Sequence, residues 1–412
     1  MGCWGRGCSL WGVSIVAEPG DGGASVGSAD LDRRIGTLIE GAARRDGWRG
    51  GGVDDGEFAA LALELFAYQY ERNAPYRRFC RARGVEPGHL ADWTQVPPVP
   101  LSAFREVPLV CEPPEAAAAV FMTSGSTDPA RRGRNHHPHL RLYDASLRAS
   151  FAHLFVPDRE RLRLLVVNPR PEVAPHSSLA YFLRRLVDFF GAPGSDFFFD
   201  GEVLQGQRLV QVLGEVERSG EPVGLLGTSF AYVHLLDVFA EEGLSFQLPV
   251  GSRLLDTGGY KGRSREVPAA ELRALFGQRL GLPDAACVNY YGMTEISTQY
   301  YDTTVRSQWR GDAEPPGPRR KAVPPWARVR VVDPETMRSV AVGERGLLVH
   351  YDLANRGSCQ AVLSEDVGYL TPEASASTPG GFVLLGRAEG TEARGCSVAA
   401  EDMLTAHPGL PR

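Results

Sequence analysis

The sequence predicts an α/β fold: layers of sheet and helix around a largely parallel sheet, with a β-rich part toward the C-terminus. Three observations predict it. Between Leu162 and Leu280, short apolar strands alternate with amphipathic helices, the pattern of a parallel sheet with crossover helices. After Gly311 this gives way to a Pro-rich loop, Pro315–Pro325, and then to strand-like runs with no helices between them. The chain has 412 residues, 43% of them hydrophobic, which is enough for one large domain and a small appendage.

Residues 1–30 are glycine-rich and aperiodic and are expected to form a disordered extension. Their apolar patch, Leu10–Ala17, lacks the hydrophobic core of a signal peptide. Met1-Gly2-Cys3 opens like a lipidation signal, but Arg6 stands where Ser or Thr is required. Helices are expected at Leu31–Glu40 and Gly56–Arg83. In the second, Phe58, Leu61, Leu65, Phe66 and Tyr68–Tyr70 fall near a 3.6-residue period. Val96–Pro100 (VPPVP) ends this helical lead-in. Three strand–helix pairs follow: Leu162–Val167 with Ser178–Phe190, Val223–Leu226 with Phe230–Glu242, and Leu254–Asp256 with Val267–Leu280. The β-rich part comprises Val329–Val332, Gly346–His350, Ala361–Leu363 and Phe382–Leu385, with a breaker-rich loop at Thr371–Gly381.

Composition removes several function classes. The net charge of −6, with acidic and basic residues interspersed, provides no global field for nucleic acid. No apolar run approaches the roughly 20 residues of a membrane helix. The seven cysteines are irregularly spaced with no CxxC pair, which argues against a zinc cage or a thioredoxin-type site and for reduced thiols in the cytoplasm.

Two short stretches carry chemistry. Phe121–Thr127 (FMTSGST) is a turn after the apolar run Ala116–Phe121. Thr123, Ser124, Ser126 and Thr127 place four hydroxyls around Gly125. Hydroxyls and exposed backbone N–H groups cradle polyphosphate, and glycine admits it closely, although the same residues also make plain loops. No Walker pattern can be written here. Arg131, Arg132 and Arg134 read as a solvated basic loop, and His136, His137 and His139 as solvent-facing. Tyr290–Glu295 (YYGMTE) sets an aromatic, a glycine, a threonine and a carboxylate in one turn, able to hold a nucleotide and its metal ion.

TSGST resembles the phosphate loop of the adenylate-forming superfamily (acyl-CoA synthetases, peptide-synthetase adenylation domains, luciferases). Tyr291-Gly292-Met293-Thr294-Glu295 resembles its YGxTE motif. Ser364–Gly368 stands in the place of its GD motif, and Gly386-Arg387 resembles the GR at its hinge. Pro175–Leu179, Gly227–Phe230, Thr257–Glu266, Tyr351–Arg356 and Gly386–Ser397 resemble the LuxE-type acyl-protein synthetases, the fatty-acid-activating subunits of the bacterial bioluminescence reductase system. The likeness runs in order over roughly residues 60–404.

The resemblance implies an adenylate-forming enzyme that uses ATP and Mg²⁺. It divides the chain into the 1–30 extension, an adenylation domain at 31–385, and a short tail at 386–412 that stands for a truncated C-terminal domain. It implies that Thr123, Ser124, Gly125, Ser126 and Thr127 hold the ATP phosphates and that Thr294 lies by the α-phosphate. Glu295 is then a Mg²⁺ ligand, and Gly258, Gly259 and Tyr260 line the adenine pocket beside Tyr291 and Gly292. Asp366 accepts the ribose hydroxyls, and Arg387 touches ribose or phosphate. His176 either borders the acyl pocket or packs in the core, and Phe230 is a second candidate beside the acid. Lys261 either binds a carboxylate or phosphate or is simply exposed. Phe182, Phe189, Phe190 and Phe197–Phe199 are either an apolar pocket or core.

No lysine follows Lys321, so the superfamily's C-terminal catalytic lysine has no counterpart here. LuxE-type proteins instead pass the acyl group to a cysteine near the C-terminus, and Cys396 in RGCS matches that position. Arg387 and Arg394 favour its thiolate; a buried structural cysteine is the alternative. The expected partners are a small carboxylic acid and an acyl-acceptor protein, either a reductase or a carrier protein. Two other functions remain open at this level. One is a ligase handing its adenylate directly to a carrier protein, CoA or an amine. The other is a non-catalytic nucleotide-binding scaffold, consistent with Asp128 at the end of the phosphate loop.

Overall fold

The computed structural model describes residues 26–44, 55–124, 132–201, 203–258, 264–312, 317–372 and 381–388. It opens with helices α1 (Val26–Arg44), α2 (Asp55–Arg72) and α3 (Ala74–Ala82). α1 begins before the expected Leu31, so the end of the stretch expected to be disordered is helical. The single helix expected over Gly56–Arg83 is broken at Asn73. That residue is extended (φ −95°, ψ 93°), and its side chain accepts from Tyr76 N at 3.1 Å. Pro75, which has no N–H, suits the first turn of the new helix.

β1 (Val99–Pro100) and the short α4 (Ala103–Glu106) come next, then a hairpin of β2 (Ala119–Met122) and β3 (Arg134–His137) that carries the hydroxyl-rich loop. α5 (Arg141–Leu154) leads into β4 (Arg163–Val167), α6 (Ser178–Phe190) and β5 (Asp196–Phe197). A two-stranded excursion, β6 (Phe199–Asp200) with β7 (Val203–Leu204), precedes α7 (Gly206–Ser219). β8 (Val223–Thr228), α8 (Ser229–Glu241), β9 (Arg253–Thr257) and α9 (Ala269–Leu280) then alternate. α9 stops at Gly281, whose φ of 66° only glycine adopts freely. β10 (Cys287–Tyr291), β11 (Tyr300–Tyr301) and α10 (Thr304–Arg310) complete this part.

The six-stranded sheet has the order β11-β10-β9-β8-β4-β5, parallel except for β11. Its strands are buried on both faces, which explains why they read as apolar runs. Leu165, Val167, Val223, Leu225 and Leu254 pack with α7, α8 and α9 on one side. Leu164, Val166, Leu226, Leu255 and Val288 pack with α5 and α6 on the other. The phenylalanines left open above belong to these layers. Phe182, Phe190, Phe197 and Phe198 are buried core, and Phe182 stacks on Tyr290 at 4.7 Å.

The second sheet contains β12 (Ala327–Val332), β13 (Gly346–Asp352), β14 (Ala361–Leu370) and β15 (Phe382–Arg387). Its order is β1-β14-β13-β12. The long β14 pairs with β1 along its first half and with β15 along its second. The lead-in helices pack on this sheet. Lys321 joins the two sheets. Its backbone exchanges hydrogen bonds with Phe382 of β15. Its ammonium donates to Asn289 O (2.8 Å) and Oδ1 (2.6 Å) of β10 and to Asp302 Oδ1 (2.9 Å).

Candidate active site

The carboxyl ends of β8, β9 and β10 form one rim, where open parallel sheets bind ligands. Thr228 pairs with Thr257, and Thr257 with Tyr290, so Phe230, Gly258 and Gly292 leave adjacent strand ends. The β2–β3 hairpin stands over this rim. Thr123 closes the base of its loop: its N donates to Gly133 O, and its Oγ1 accepts from Gly133 N, both at 2.9 Å. The Thr294 hydroxyl reaches Met122 O at 3.5 Å, and Asn135 of β3 donates to Thr294 O at 3.0 Å. The predicted phosphate loop and the Tyr290–Glu295 turn are therefore in contact. His176 lies beside them. Met122 N donates to its carbonyl at 2.9 Å, and its exposed ring has Nδ1 3.0 Å from Val120 O. This exposure removes the packed-core alternative for His176.

Gly292 meets a steric demand. A Cβ there would lie 2.4 Å from Tyr290 Oη, and that ring cannot retreat because it is stacked on Phe182 and packed against Tyr301. Gly292→Ala is expected to displace the turn, costing about 1–3 kcal/mol by overpacking and lowering acid-dependent pyrophosphate release by at least about tenfold, roughly 1.4 kcal/mol of barrier. Thermal melts and a pyrophosphate assay check both.

The Tyr291 ring packs against Tyr300, His350 and Phe382, and its hydroxyl donates to Asp366 Oδ2 at 2.8 Å. Asp366, on β14, pairs in register with Arg387 on β15, whose Nε is 3.8 Å from Oδ1. Burial pushes the Asp366 carboxyl up, offset in part by the Tyr291 hydrogen bond and the Arg387 charge. Because Arg387 is largely exposed, that ion pair contributes little stability.

Glu295 is buried. Desolvation lifts its carboxyl to about 7, against the lowering influence of Arg105 and Arg387. The turn that presents it is fastened by residues that the motifs do not reveal. Asn355 Nδ2 donates to Glu295 O (2.8 Å) and its Oδ1 accepts from Asn135 (3.2 Å). Asp352 accepts from Ser297 N (2.7 Å), Thr298 N (2.8 Å) and Thr298 Oγ1 (2.7 Å). Both residues lie in Tyr351–Arg356, one of the segments that carries the resemblance, which is the signal that marks them.

The expectation that the histidines face solvent is overturned. His137, read as solvent-facing, is buried against Phe121 and Tyr143, and burial pushes it down to about 3. His139 is half-buried, with Nε2 2.6 Å from Asp32 Oδ2. Along β3 the side chains alternate, and Asn135 and His137 share the face that packs on the core while Arg134 and His136 take the other, which turns His137 inward. Gly125, Ser126, Thr127, Gly259, Tyr260, Lys261 and Cys396 lie outside the described residues.

Comparison with known proteins identifies relatives and the fold. The long-chain-fatty-acid–luciferin-component ligase of Aliivibrio fischeri is 23% identical over 84% of this chain and 88% of its own. The Vibrio harveyi protein of the same name is 21% identical over the same shares. Among solved structures, an open conformation of 2-hydroxyisobutyryl-CoA ligase superposes with a TM-score of 0.60 at 18% identity, covering 81% of this chain and 70% of that one. Its postadenylation state gives 0.57 at 18% identity, covering 82% and 69%. These two likenesses establish the fold. The profile of the acyl-protein synthetases, LuxE, matches residues 55–405, and the chain belongs to that family.

Proposed function

We propose that the protein activates a carboxylic acid with ATP and transfers the acyl group through Cys396 to an acceptor protein. The observation that carries this is the meeting of the Thr123 loop base, Thr294, Glu295, Tyr291 and Asp366 on one rim. In the first step a carboxylate oxygen attacks the α-phosphorus, the bond from that phosphorus to the α,β-bridging oxygen breaks, and pyrophosphate leaves with that oxygen. In the second, the Cys396 sulfur attacks the acyl carbon, the carbon–oxygen bond to AMP breaks, and the thiol proton passes to solvent. The first step needs alignment more than proton transfer.

Asp366 keeps Oδ1 as an acceptor for ribose hydroxyls while Tyr291 occupies Oδ2. Thr123 and Ser124, with the hydroxyls that follow, suit the phosphates. A magnesium ion fits Glu295, a buried carboxylate that burial leaves short of charge compensation. Among the described residues, no group of three or more acidic, histidine or cysteine side chains forms a metal cage, which suits an ion shared with phosphate oxygens. Such an ion supplies positive charge to the phosphates. The chain has two lysines. Lys321 is fully engaged between the sheets, so Lys261 is the one left to approach the carboxylate or a phosphate.

The names of the relatives favour a long-chain fatty acid as substrate, and the acceptor in this reading is a reductase or a carrier protein. Among the described residues no helix is long and apolar enough to cross a membrane, and Cys80, Cys111, Cys287 and Cys359 are free thiols. Reduced thiols support the cytoplasm as the site of action.

Intact-protein mass spectrometry after incubation with ATP, Mg²⁺ and a pool of fatty and aryl acids tests the reading. A hydroxylamine-labile adduct is expected on the native protein and absent from Cys396→Ala. AMP without an adduct would replace the thioester route by direct transfer to another acceptor. Neither AMP nor adduct, with the acceptor protein also supplied, would overturn the reading.

A further inference from the structure

A buried hydrogen-bonded chain crosses from the six-stranded sheet to Asp366. Tyr300 on β11 has its hydroxyl 3.3 Å from His350 Nδ1 on β13. His350 Nε2 is 3.2 Å from the Tyr291 hydroxyl, and that hydroxyl donates to Asp366 Oδ2 at 2.8 Å. Tyr300 and His350 are fully buried. The Ser364 hydroxyl anchors the end of the chain, donating to Leu348 O (3.0 Å) and accepting from Asp366 N (3.2 Å).

We propose that Tyr300 and His350 are positioning residues for nucleotide binding: they direct the single Tyr291 proton onto Asp366 and so fix which carboxylate oxygen meets the ribose. The reasoning is one of donor counting. A neutral imidazole has one N–H and one acceptor nitrogen. Burial holds His350 neutral, down to about 3. Asp366 accepts and its oxygens offer no proton when ionised, so Tyr291 must donate to it. Tyr291 then has only lone pairs for His350, which places the imidazole proton on Nε2. Nδ1 becomes the acceptor, and Tyr300 supplies its hydrogen. Every polar atom along the line has a defined role in this one orientation. The reversed orientation would leave a carboxylate oxygen facing a hydroxyl oxygen with no proton between them, a costly arrangement in a dry interior. Both residues are fully buried behind Tyr291, so they act through Tyr291 and Asp366.

The inference rests on Asp366 being the ribose acceptor. Its test compares kcat/KM for ATP with that for 2′-deoxy-ATP and 3′-deoxy-ATP, in acid-dependent pyrophosphate release by the full chain. Asp366→Asn settles the underlying reading. A preference for ATP that falls toward unity supports it, and an unchanged preference sinks that reading and the proposal with it. Given that fall, His350→Leu and Tyr291→Phe are expected to lower the preference several-fold, through KM for the nucleotide and with KM for the acid unchanged. His350→Gln, whose amide keeps a donor toward Tyr291, is expected to restore most of it. Tyr300→Phe, the mildest change in volume, gives a smaller loss in the same direction and guards against misfolding of the others. Equal losses for all three nucleotides, or no rescue by glutamine, would mean that the chain only packs the core, and would overturn the proposal.

Discussion

Lys321→Met is expected to destabilise the protein by about 3–5 kcal/mol, the cost of removing one partner from a buried ion pair. Lys321 and Asp302 are both almost wholly buried, and the ammonium satisfies three oxygens at once. Methionine fills the volume but leaves Asn289 O and Oδ1 without that donor. Asp302 would keep Arg319, at 3.3 Å, and the Asn289 N–H, at 2.9 Å, both on Oδ2, and its Oδ1 would lose the ammonium. The damage also spreads to Asp256 on β9, whose carboxyl is raised by burial and partly lowered by the Lys321 charge. Urea denaturation should show a lowered midpoint. The Lys321→Met, Asp302→Asn double variant should recover part of the loss, because no uncompensated charge is left behind. A loss under about 1 kcal/mol, the range of exposed pairs, would show that the lysine does not hold the two sheets together.

The second large effect concerns Glu295. Glu295→Gln is expected to abolish measurable adenylate formation while making the unliganded protein more stable at alkaline pH. The sign follows from proton binding. The folded carboxyl lies near 7 against 4.5 for the free side chain. The folded state therefore binds more protons between these values, and stability falls as pH rises through that window. The penalty is absent below about 4.5 and complete above about 7, and a shift of this size corresponds to about 3 kcal/mol at most. Melting curves at pH 5 and pH 8 should show the variant gaining on the native protein only at the higher pH. Added Mg²⁺ with ATP should stabilise the native protein and leave the variant nearly unmoved. A variant no more stable than the native protein at pH 8 would contradict a strained, ionised Glu295.

The parts legible in the sequence were those whose physics is local. β4 and β8 are covered on both faces, so Arg163–Val167 and Val223–Thr228 are nearly pure apolar runs, and β9 shows the same signal only in Leu254–Leu255. α6 is legible because Ser177 caps it and its apolar face is continuous. α7 is absent from the expected elements although its buried Leu209, Leu213 and Val216 stand at i, i+4 and i+7, the spacing of one helical face. The break at Asn73 was hidden because its two flanking helices share one apolar period. In the site, Thr294, Glu295 and Asp366 are readable because their chemistry fits a short stretch of chain. Tyr300 and His350 are not, because they reside on different sheets and read as ordinary strand residues. Their partnership exists only once β11 and β13 are brought together.

The register of β14 with β15 sets a distance for the chemistry that follows activation. Arg387 lies directly across from Asp366, and Cys396 is 396 − 387 = 9 residues further along. Nine residues reach at most about 30 Å, whatever path they take. In the proposed route, that tether would hold the Cys396 thiol at an effective concentration on the order of millimolar or above relative to the proposed nucleotide site. Acyl capture by Cys396 would then be unimolecular, with a rate constant unaffected by dilution of the enzyme, and hydrolysis of the adenylate would compete with an intramolecular nucleophile.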